Sequence, residues 1–179
     1  MDERSAFLDR LHRADTRLVA FLDAWAAARD GAPVPRKTAF DPLAVAALLP
    51  MVWLYRYEPA LGDFVCRLAG ESVNQAWGHS IRGMTLRQVV GKADHPTILG
   101  RWREIVGTPF IHYGGSRERL SAQSVYQAHR LLMPLAGEAE GMSPPDYVIG
   151  ISLYHLDPMD RDRMPLMPED IVRLRCDVF

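Results

Sequence analysis

The feature that most constrains the fold is a short apolar strand that ends in a glycine and passes directly into helical sequence. Residues 64–69 favour a β-strand, Gly70 permits a turn, and residues 71–90 are helical but interrupted by glycines. A strand that leads into several short helices is typical of a small sheet with helices over one face. The segment carries no catalytic motif, so it indicates a fold rather than a reaction.

The remaining segments complete the pattern of one sheet. Residues 51–57 are β-branched and aromatic, and a turn at 58–63 joins them to residues 64–69 as an antiparallel hairpin. A helix is predicted to begin at a capping Asp94 and to end at Gly107. Three further strands are predicted at residues 110–113, 125–135 and 147–156. This order predicts an α+β fold, in which short helices cover one face of a five-stranded antiparallel sheet.

An additional amphipathic helix is predicted over residues 4–29. Apolar side chains recur there at steps of three and four, in a stripe formed by Phe7, Leu11, Ala14, Leu18, Phe21 and Trp25. Gly31 ends the helix, and the prolines that follow prevent its resumption. Two interpretations are compatible with each other: the stripe packs on the sheet of its own domain, or it pairs with its copy in a homodimer.

Composition argues against several functional classes. The 179 residues carry a formal net charge of -1, with basic and acidic residues interspersed, so no nucleic-acid-binding surface is predicted. No run of about 20 apolar residues predicts a membrane span, and no secretory signal is predicted at the charged N-terminus. Cys66 and Cys176 show neither metal-ligand nor disulfide spacing, so the predicted location is a reducing cytoplasm.

The order of the elements resembles the PAS fold, and several local motifs sharpen the resemblance. These motifs are the Trp25 helix, the Phe40-Asp41-Pro42 and Leu49-Pro50 connector, residues 64–70, Gly78, Gly83 and Met133-Pro134-Leu135. Together they are similar to a family of stand-alone PAS-like proteins, mainly from alphaproteobacteria, whose functions are largely unknown. The resemblance implies a sensory or protein-interaction role, and it implies neither a ligand nor a reaction.

We divide the chain into an N-terminal amphipathic helix (1–31), a PAS-like domain (32–157) and a C-terminal tail (158–179). The tail is charged and rich in Met and Pro, and it is predicted to contain a short helix at residues 169–174.

Patterns for catalysis, metal binding and cofactor binding are weak. The six histidines lie in separate elements without zinc-ligand spacing, and no Gly-x-Ser-x-Gly motif is present. His95 lies at a helix cap, whereas a haem-binding relative would place its ligand inside the helix. Cys66 lies on a strand, unlike the helical cysteine of flavin-binding relatives, and is predicted to be a small core residue. We therefore predict no catalytic residue, no metal and no identifiable cofactor.

The candidate ligand site is a cavity between the sheet and a helix at residues 97–106. Aromatic walls with a few polar groups are what a small-molecule site requires. The predicted ligand-binding residues are Trp53, Phe64, Cys66, Asn74, Trp77, Ile98, Trp102, Gln127 and His129. Core packing also explains these aromatic residues, and strand alternation leaves open which face of the last strands lines the cavity.

These observations predict a cytoplasmic, non-enzymatic PAS-like module that senses a signal or binds a protein. We expect it to form a homodimer through the N-terminal helix and to bind a small apolar ligand. No kinase, cyclase or DNA-binding segment is attached, so its output is expected to pass through an unknown protein partner or through dimer geometry. One alternative is a small enzyme of the cone-shaped α+β class that resembles nuclear transport factor 2, although strands at 51–69 precede most of the helices here. A structural dimer without a ligand is another.

Overall fold

The computed structural model describes residues 2–121, 124–137, 145–156 and 170–179. The helices in these residues are α1 (Glu3–Ala14), α2 (Thr16–Ala27), α3 (Glu71–Trp77) and α4 (Leu86–Gly107). The strands are β1 (Val52–Glu58), β2 (Asp63–Ala69), β3 (Phe110–Ser121), β4 (Ser124–Leu135), β5 (Tyr147–Leu156) and β6 (Asp170–Arg175). Short 3-10 segments at Lys37–Ala39 and Pro42–Met51 connect α2 to β1.

The strands form one antiparallel sheet in the order β2-β1-β5-β4-β3-β6. The first two strands pair as the predicted hairpin, with Tyr57 opposite Phe64. β5 returns to the centre of the sheet and pairs with β1, so that Ile151 lies opposite Val52. The predicted α+β class and antiparallel sheet are therefore confirmed.

β6 is a sixth strand in a place where the sequence favoured a helix. The prediction of a helix at residues 169–174 is wrong, because this segment pairs antiparallel with β3 and places Val172 opposite Tyr113. Side chains in this segment alternate: Leu174 and Cys176 are buried, whereas Arg173 and Arg175 are exposed. A period of two is the pattern of a half-buried strand.

Helices cover both faces of the sheet: the short helices α3 and α4 cover one face, as predicted, and α1 and α2 cover the other. On the α2 face, α1 and α2 pack over strand residues that include Ile111, Leu131, Met133, Ile151 and Leu174. On the α4 face, α3 and α4 pack over a second core. That core contains Trp53, Tyr55, Phe64, Cys66, Val73, Ile81, Leu86, Trp102, Ile105, Leu132 and Val148. The N-terminal stripe thus covers the sheet of its own chain.

The N-terminal region forms two helices where a single helix was predicted. Asp15 separates them, because its backbone is extended (φ -170°, ψ 131°). Its amide donates to Leu11 O at the end of α1, and its carboxylate accepts from the Arg17 amide at the start of α2. An aspartate that caps the second helix satisfies an amide left unpaired there, so the break is stabilised. The apolar residues on both sides of the break remain buried.

Helix α4 begins earlier than predicted and is interrupted. A capping box between Thr85 and Gln88 starts it, so Asp94 lies within the helix and does not cap it. Gly91 has a positive φ of 82° and breaks the helical geometry. The part after Gly91 carries Trp102 and Ile105, the buried residues that pack on the sheet.

The glycine turn after β2 is required by a close backbone approach. The end of the 3-10 segment passes so near Gly70 that a Cβ atom there would lie 2.2 Å from Pro50 O. Gly70 also precedes α3 as its N-cap and donates to Val52 O at 2.8 Å. The turn therefore fixes α3 against the start of β1. The division of the chain into residues 1–31, 32–157 and 158–179 stays a prediction.

Candidate functional site

An aromatic cluster lies on the α4 face, between α4 and the β1–β2 hairpin. The ring of Trp102 stacks on Trp53 with centroids 5.2 Å apart and an interplanar angle of 4°. The edges of Tyr55 and Phe64 approach Trp102 at 4.9 and 5.3 Å. These residues are between 0% and 6% exposed. The aromatic residues predicted to bind a ligand therefore contact one another closely.

Trp53 is fixed by a hydrogen bond, and its ring packs directly against a glycine. Its indole nitrogen donates to Ser152 Oγ at 2.8 Å, and both groups are buried. The ring lies against Gly150 of β5, where a Cβ atom would approach Trp53 Cζ2 to 2.2 Å. Only glycine leaves room for this indole, which in turn supports the stack on Trp102.

The buried carboxylate of Asp63 ties α4 to the sheet. It accepts from the backbone amide of Arg87 at 3.2 Å, and it lies 3.1 Å from Nε2 of His95. Further along α4, Arg103 donates to Tyr57 Oη at 3.0 Å and to Gly62 O at 3.1 Å. These contacts bind both parts of the interrupted helix to the β1–β2 hairpin. His95 thus has a carboxylate partner.

Cys66 lies in the core of the α4 face, as predicted. Its backbone is fixed by bonds from its amide to Met84 O and from the Gly83 amide to its carbonyl. The thiol lies 3.3 Å from Leu68 O. Burial raises the pKa of the Cys66 thiol to about 11, so it stays protonated at neutral pH. A protonated, buried thiol has little nucleophilic reactivity.

Three other predicted residues lie on or beside this face. Trp77 and Ile98 are half-buried at the edge of the cluster. Asn74 has structural partners: its side-chain amide donates to Ala69 O at 3.3 Å, and its oxygen accepts from the Ile81 amide at 3.1 Å. Asn74 thus holds α3 against the loop that follows it. Ligand binding by these residues stays a prediction.

Gln127 and His129 lie on the opposite face from the aromatic cluster. They share a side of β4 with Leu131 and Met133, which belong to the α2-face core. His129 Nδ1 lies 2.9 Å from Tyr113 Oη, and the two rings stack. Burial lowers the pKa of His129, and positive charge on His155 lowers it further. The structure therefore does not bring Gln127 or His129 together with Trp102.

His112 is a residue whose importance the sequence did not indicate. It is 1% exposed, and neither ring nitrogen has a hydrogen-bond partner among the residues that the structure describes. Its neighbours Ile111 and Tyr113 face α2, so alternation along β3 places His112 on the α4 face. Burial, together with the charges of Arg101 and Arg173, lowers the pKa of His112 to about 3. Its imidazole is therefore neutral at physiological pH.

Strand alternation could have placed His112 on the same face as α4. The predicted strand at 110–113 has apolar neighbours around the histidine. Metal-ligand spacing does not indicate whether a single histidine is buried, so it gives no sign of His112. Within the described ranges, no group of three His, Cys, Asp or Glu side chains is arranged to hold a metal ion.

The family of the chain is defined by its sequence as well as by its fold. The PAS domain family matches residues 13–150. The chain belongs to this family, which confirms the resemblance seen in the sequence. No curated protein matches the chain. In the part that the structure describes, no helix has the length and apolar character needed to cross a membrane.

Two solved structures are similar in fold at low sequence identity. One is a LOV protein of Rhodobacter sphaeroides, with 15% identity and a TM-score of 0.44 over 63% of this chain and 60% of that one. The other is a fungal LOV domain photoreceptor, with 13% identity and a TM-score of 0.43 over 66% of this chain and 94% of that one. This chain thus spans less than two thirds of the bacterial protein.

Proposed function

We propose that this PAS domain is a non-enzymatic sensory module that binds a small apolar molecule on the α4 face, beside His112. The observation that carries the proposal is a buried imidazole without a hydrogen-bond partner in the described residues. An unpaired buried polar group costs about 1–3 kcal/mol, so a ligand that pairs with it recovers that free energy. A neutral imidazole offers one donor and one acceptor.

The chemistry of the face defines the ligand class. The core of this face is apolar and aromatic, so most of the ligand is expected to be hydrocarbon. Arg101 and Arg173 are the charged groups near the ring. A single hydroxyl, carbonyl or amide group on the ligand would pair with His112. Because the pKa of His112 is depressed to about 3, an anionic ligand finds no positive charge on this ring.

Binding would require α4 to move, because Trp102 packs between α4 and the sheet. The interruption of the helix at Gly91 supports such a movement. The contacts of His95 with Asp63 and of Arg103 with Gly62 O oppose it and would have to break. Displacement of α4 would transmit the presence of the ligand to the surface of the domain. Trp53 lies in the same row of the sheet as His112, three strands away, and is the expected apolar contact of a ligand that extends from the histidine towards β1. Phe64, Cys66, Trp77 and Ile98 stay predicted contacts.

A second candidate is a protein-interaction module without a ligand. The close packing of the aromatic cluster favours it, because its rings already bury one another's apolar surface. The cluster consists of Trp53, Tyr55, Phe64 and Trp102. Native mass spectrometry of the purified full chain distinguishes the two functions. A bound small molecule supports the sensory function, whereas a mass equal to that of the polypeptide alone favours the interaction module.

Two variants make the test specific for the site. His112→Phe fills the same space and removes the hydrogen-bonding group, so it should abolish retention of the bound molecule. His129→Phe is the matched control, because His129 lies on the α2 face and should leave retention unchanged. A ligand retained by His112→Phe and lost from His129→Phe would contradict the proposed site.

We also propose that the protein is cytoplasmic and that it forms a homodimer through its N-terminal helix. The residues of its apolar stripe, such as Leu18, Phe21 and Trp25, are 0% exposed within one chain. A dimer that uses the stripe would therefore have to exchange α1 and α2 between chains, each helix pair covering the partner's sheet. Light scattering of the full chain measures the oligomeric state.

A further inference from the structure

We propose that residues 92–107, the part of α4 after Gly91, form a lid that opens as one rigid body, and that Asp63 is the latch that holds it closed. The lid covers the core of the α4 face, so its opening would admit a ligand to that face. The purpose of the lid therefore rests on the proposed sensory function. Its test needs no ligand, so the lid can fail while the ligand site stands, and the ligand site can fail while the lid stands.

The two parts of α4 are attached to the sheet in different ways. The first part begins at the N-cap Thr85, which forms a β-bridge with Val65. The carbonyl of Met84, just before it, accepts from the Cys66 amide at 2.9 Å. Among the described residues, no backbone hydrogen bond joins residues 92–107 to the sheet. The first part is thus fixed by the backbone, whereas the lid is held by its side chains.

Gly91 is the hinge between the two parts. Its backbone (φ 82°, ψ 167°) lies in a region that residues other than glycine rarely occupy. A Cβ atom at this position would meet no neighbouring atom within 4 Å, so the backbone conformation, and not a lack of space, requires the glycine. The lid ends at Gly107, and Thr108 beyond it is also non-helical (φ -126°, ψ 89°). A rigid helix between two such points can rotate without unfolding.

Asp63 contacts α4 on both sides of the hinge. Its carboxylate accepts from the Arg87 amide at 3.2 Å before the hinge, and it lies 3.1 Å from Nε2 of His95 after the hinge. The side chains of Asp63 and His95 are 8% and 15% exposed, so water screens their contact weakly. Opening of the lid would break the contact with His95 and leave the contact with Arg87 intact. The contact between Asp63 and His95 is therefore the latch.

The two cysteines of the chain can report on the lid, because one lies on each face of the sheet. Trp102 of the lid contacts the rings of Tyr55 and Phe64, with centroids at 4.9 and 5.3 Å. Cys66 lies opposite Tyr55 in the sheet and follows Phe64 on the same face. Cys66 is 1% exposed, so a thiol reagent reaches it only when this face opens. Cys176, which is 0% exposed in the α2-face core, is the internal control.

The test measures how fast N-ethylmaleimide labels each cysteine of the folded full chain, by mass spectrometry of the digested protein. His95→Leu removes the latch and leaves the buried carboxylate without this partner, so the labelling rate of Cys66 should rise by at least about tenfold. His95→Gln retains a hydrogen-bond donor and should raise the rate less. The labelling rate of Cys176 should stay unchanged in both variants.

A second pair of variants tests the hinge. Gly91→Ala strains the closed position, and rotation at this residue relieves the strain, so the labelling rate of Cys66 should again rise by about tenfold. Gly100→Ala is the matched control. Gly100 is exposed in the regular part of the lid helix, and a Cβ atom there would also meet no neighbouring atom within 4 Å. Gly100→Ala should therefore not accelerate the labelling of Cys66.

Hydrogen exchange distinguishes a rigid lid from local unfolding, because a rigid lid keeps its helical hydrogen bonds when it opens. The free energy of opening from amide exchange in residues 97–107 should therefore exceed the value from labelling of Cys66. Equal values would overturn the proposal, since the segment would then open by unfolding. The proposal is also overturned if the labelling of Cys66 gains no acceleration over that of Cys176 in either His95→Leu or Gly91→Ala.

Discussion

The two faces of the sheet both carry an apolar core, but they differ in how their polar groups are paired. On the α2 face, Trp25 donates to Pro134 O at 2.8 Å, and His129 shares a hydrogen bond with Tyr113. On the α4 face, Trp53 has a partner in Ser152, whereas His112 has none among the described residues. His129 is thus satisfied within the chain, whereas His112 is buried without a partner among the described residues.

The helices that cover the two faces are also interrupted in different ways. The break between α1 and α2 occurs at Asp15, whose backbone and side chain satisfy the ends of both helices. The break in α4 occurs at Gly91, where a positive φ interrupts the helix. The carboxylate of Asp63 on β2 contacts Arg87 before this break and His95 after it. The break on the α2 face is thus stabilised from within the helices, and the break on the α4 face is stabilised from the sheet.

The largest effect is expected from removing the cover of the α2 face. Deletion of residues 2–31 would expose Leu131, Met133 and Ile151, which are each 0% exposed in the full chain. An exposed apolar surface of this kind favours association with other chains, so the truncated chain should aggregate or lose its cooperative unfolding transition. Light scattering and thermal denaturation measure both outcomes. Deletion of residues 2–14, which removes α1 alone, should have a smaller effect, and a truncated chain that stays monomeric and stable would contradict the role assigned to these helices.

On the other face, the next largest effect is expected from Trp102. Trp102→Ala removes the centre of the aromatic cluster and should lower the free energy of unfolding by about 3–5 kcal/mol. Trp102→Phe keeps an aromatic ring in the cluster and serves as the matched control with a smaller loss. Urea denaturation measures both values. A loss below about 1 kcal/mol for Trp102→Ala would show that the cluster is loosely packed, which would favour the ligand site over the interaction module.

The elements that the sequence predicted well are those with a local cause. The β1–β2 hairpin follows from alternation and a short turn, and the turn into α3 follows from Gly70. The break at Asp15 was missed because the apolar stripe continues in register on both sides of it. β6 was missed because a charged tail with Arg173 and Arg175 resembles an exposed helix until the alternation with Leu174 is considered.

The candidate site was harder to predict because it depends on which strand faces which helix. The face of His129 is set by the pairing of β4 with both neighbours, which are distant in sequence. The same pairing decides that His112 lies beneath α4. Alternation placed Gln127 and His129 together correctly, but nothing within one strand shows which side meets α2. The packing of the aromatic cluster likewise depends on contacts between β1, β2 and α4.

A smaller effect is expected from the fit between Gly150 and Trp53. Gly150→Ala would bring a Cβ atom to 2.2 Å from the indole, so the ring has to shift and the stack on Trp102 is disturbed. We expect a loss of about 1–3 kcal/mol in the free energy of unfolding. A double-mutant cycle with Trp53→Leu is the control, because removal of the indole should make Gly150→Ala nearly harmless. Additive losses in the two variants would contradict the proposed clash.

The smallest effect at neutral pH, and the most informative for function, is expected from His112→Phe. Replacement of an unpaired buried polar group by an apolar group of similar shape is nearly neutral or stabilising. The free energy of unfolding at pH 7 should therefore stay the same or rise slightly. His79→Phe is the matched control, because His79 is exposed on the loop after α3.

The dependence on pH separates His112 from the control. The pKa of His112 falls from 6.5 to about 3 on folding, so between these values the unfolded chain binds more protons than the folded chain. The contribution of this residue therefore lowers the stability as the pH falls through this window. His112→Phe should flatten the loss of stability measured by urea denaturation between pH 6.5 and pH 4, and His79→Phe should not. An equally steep loss in His112→Phe would mean that the ring is paired or hydrated in solution, and the two faces would then not differ in their histidines.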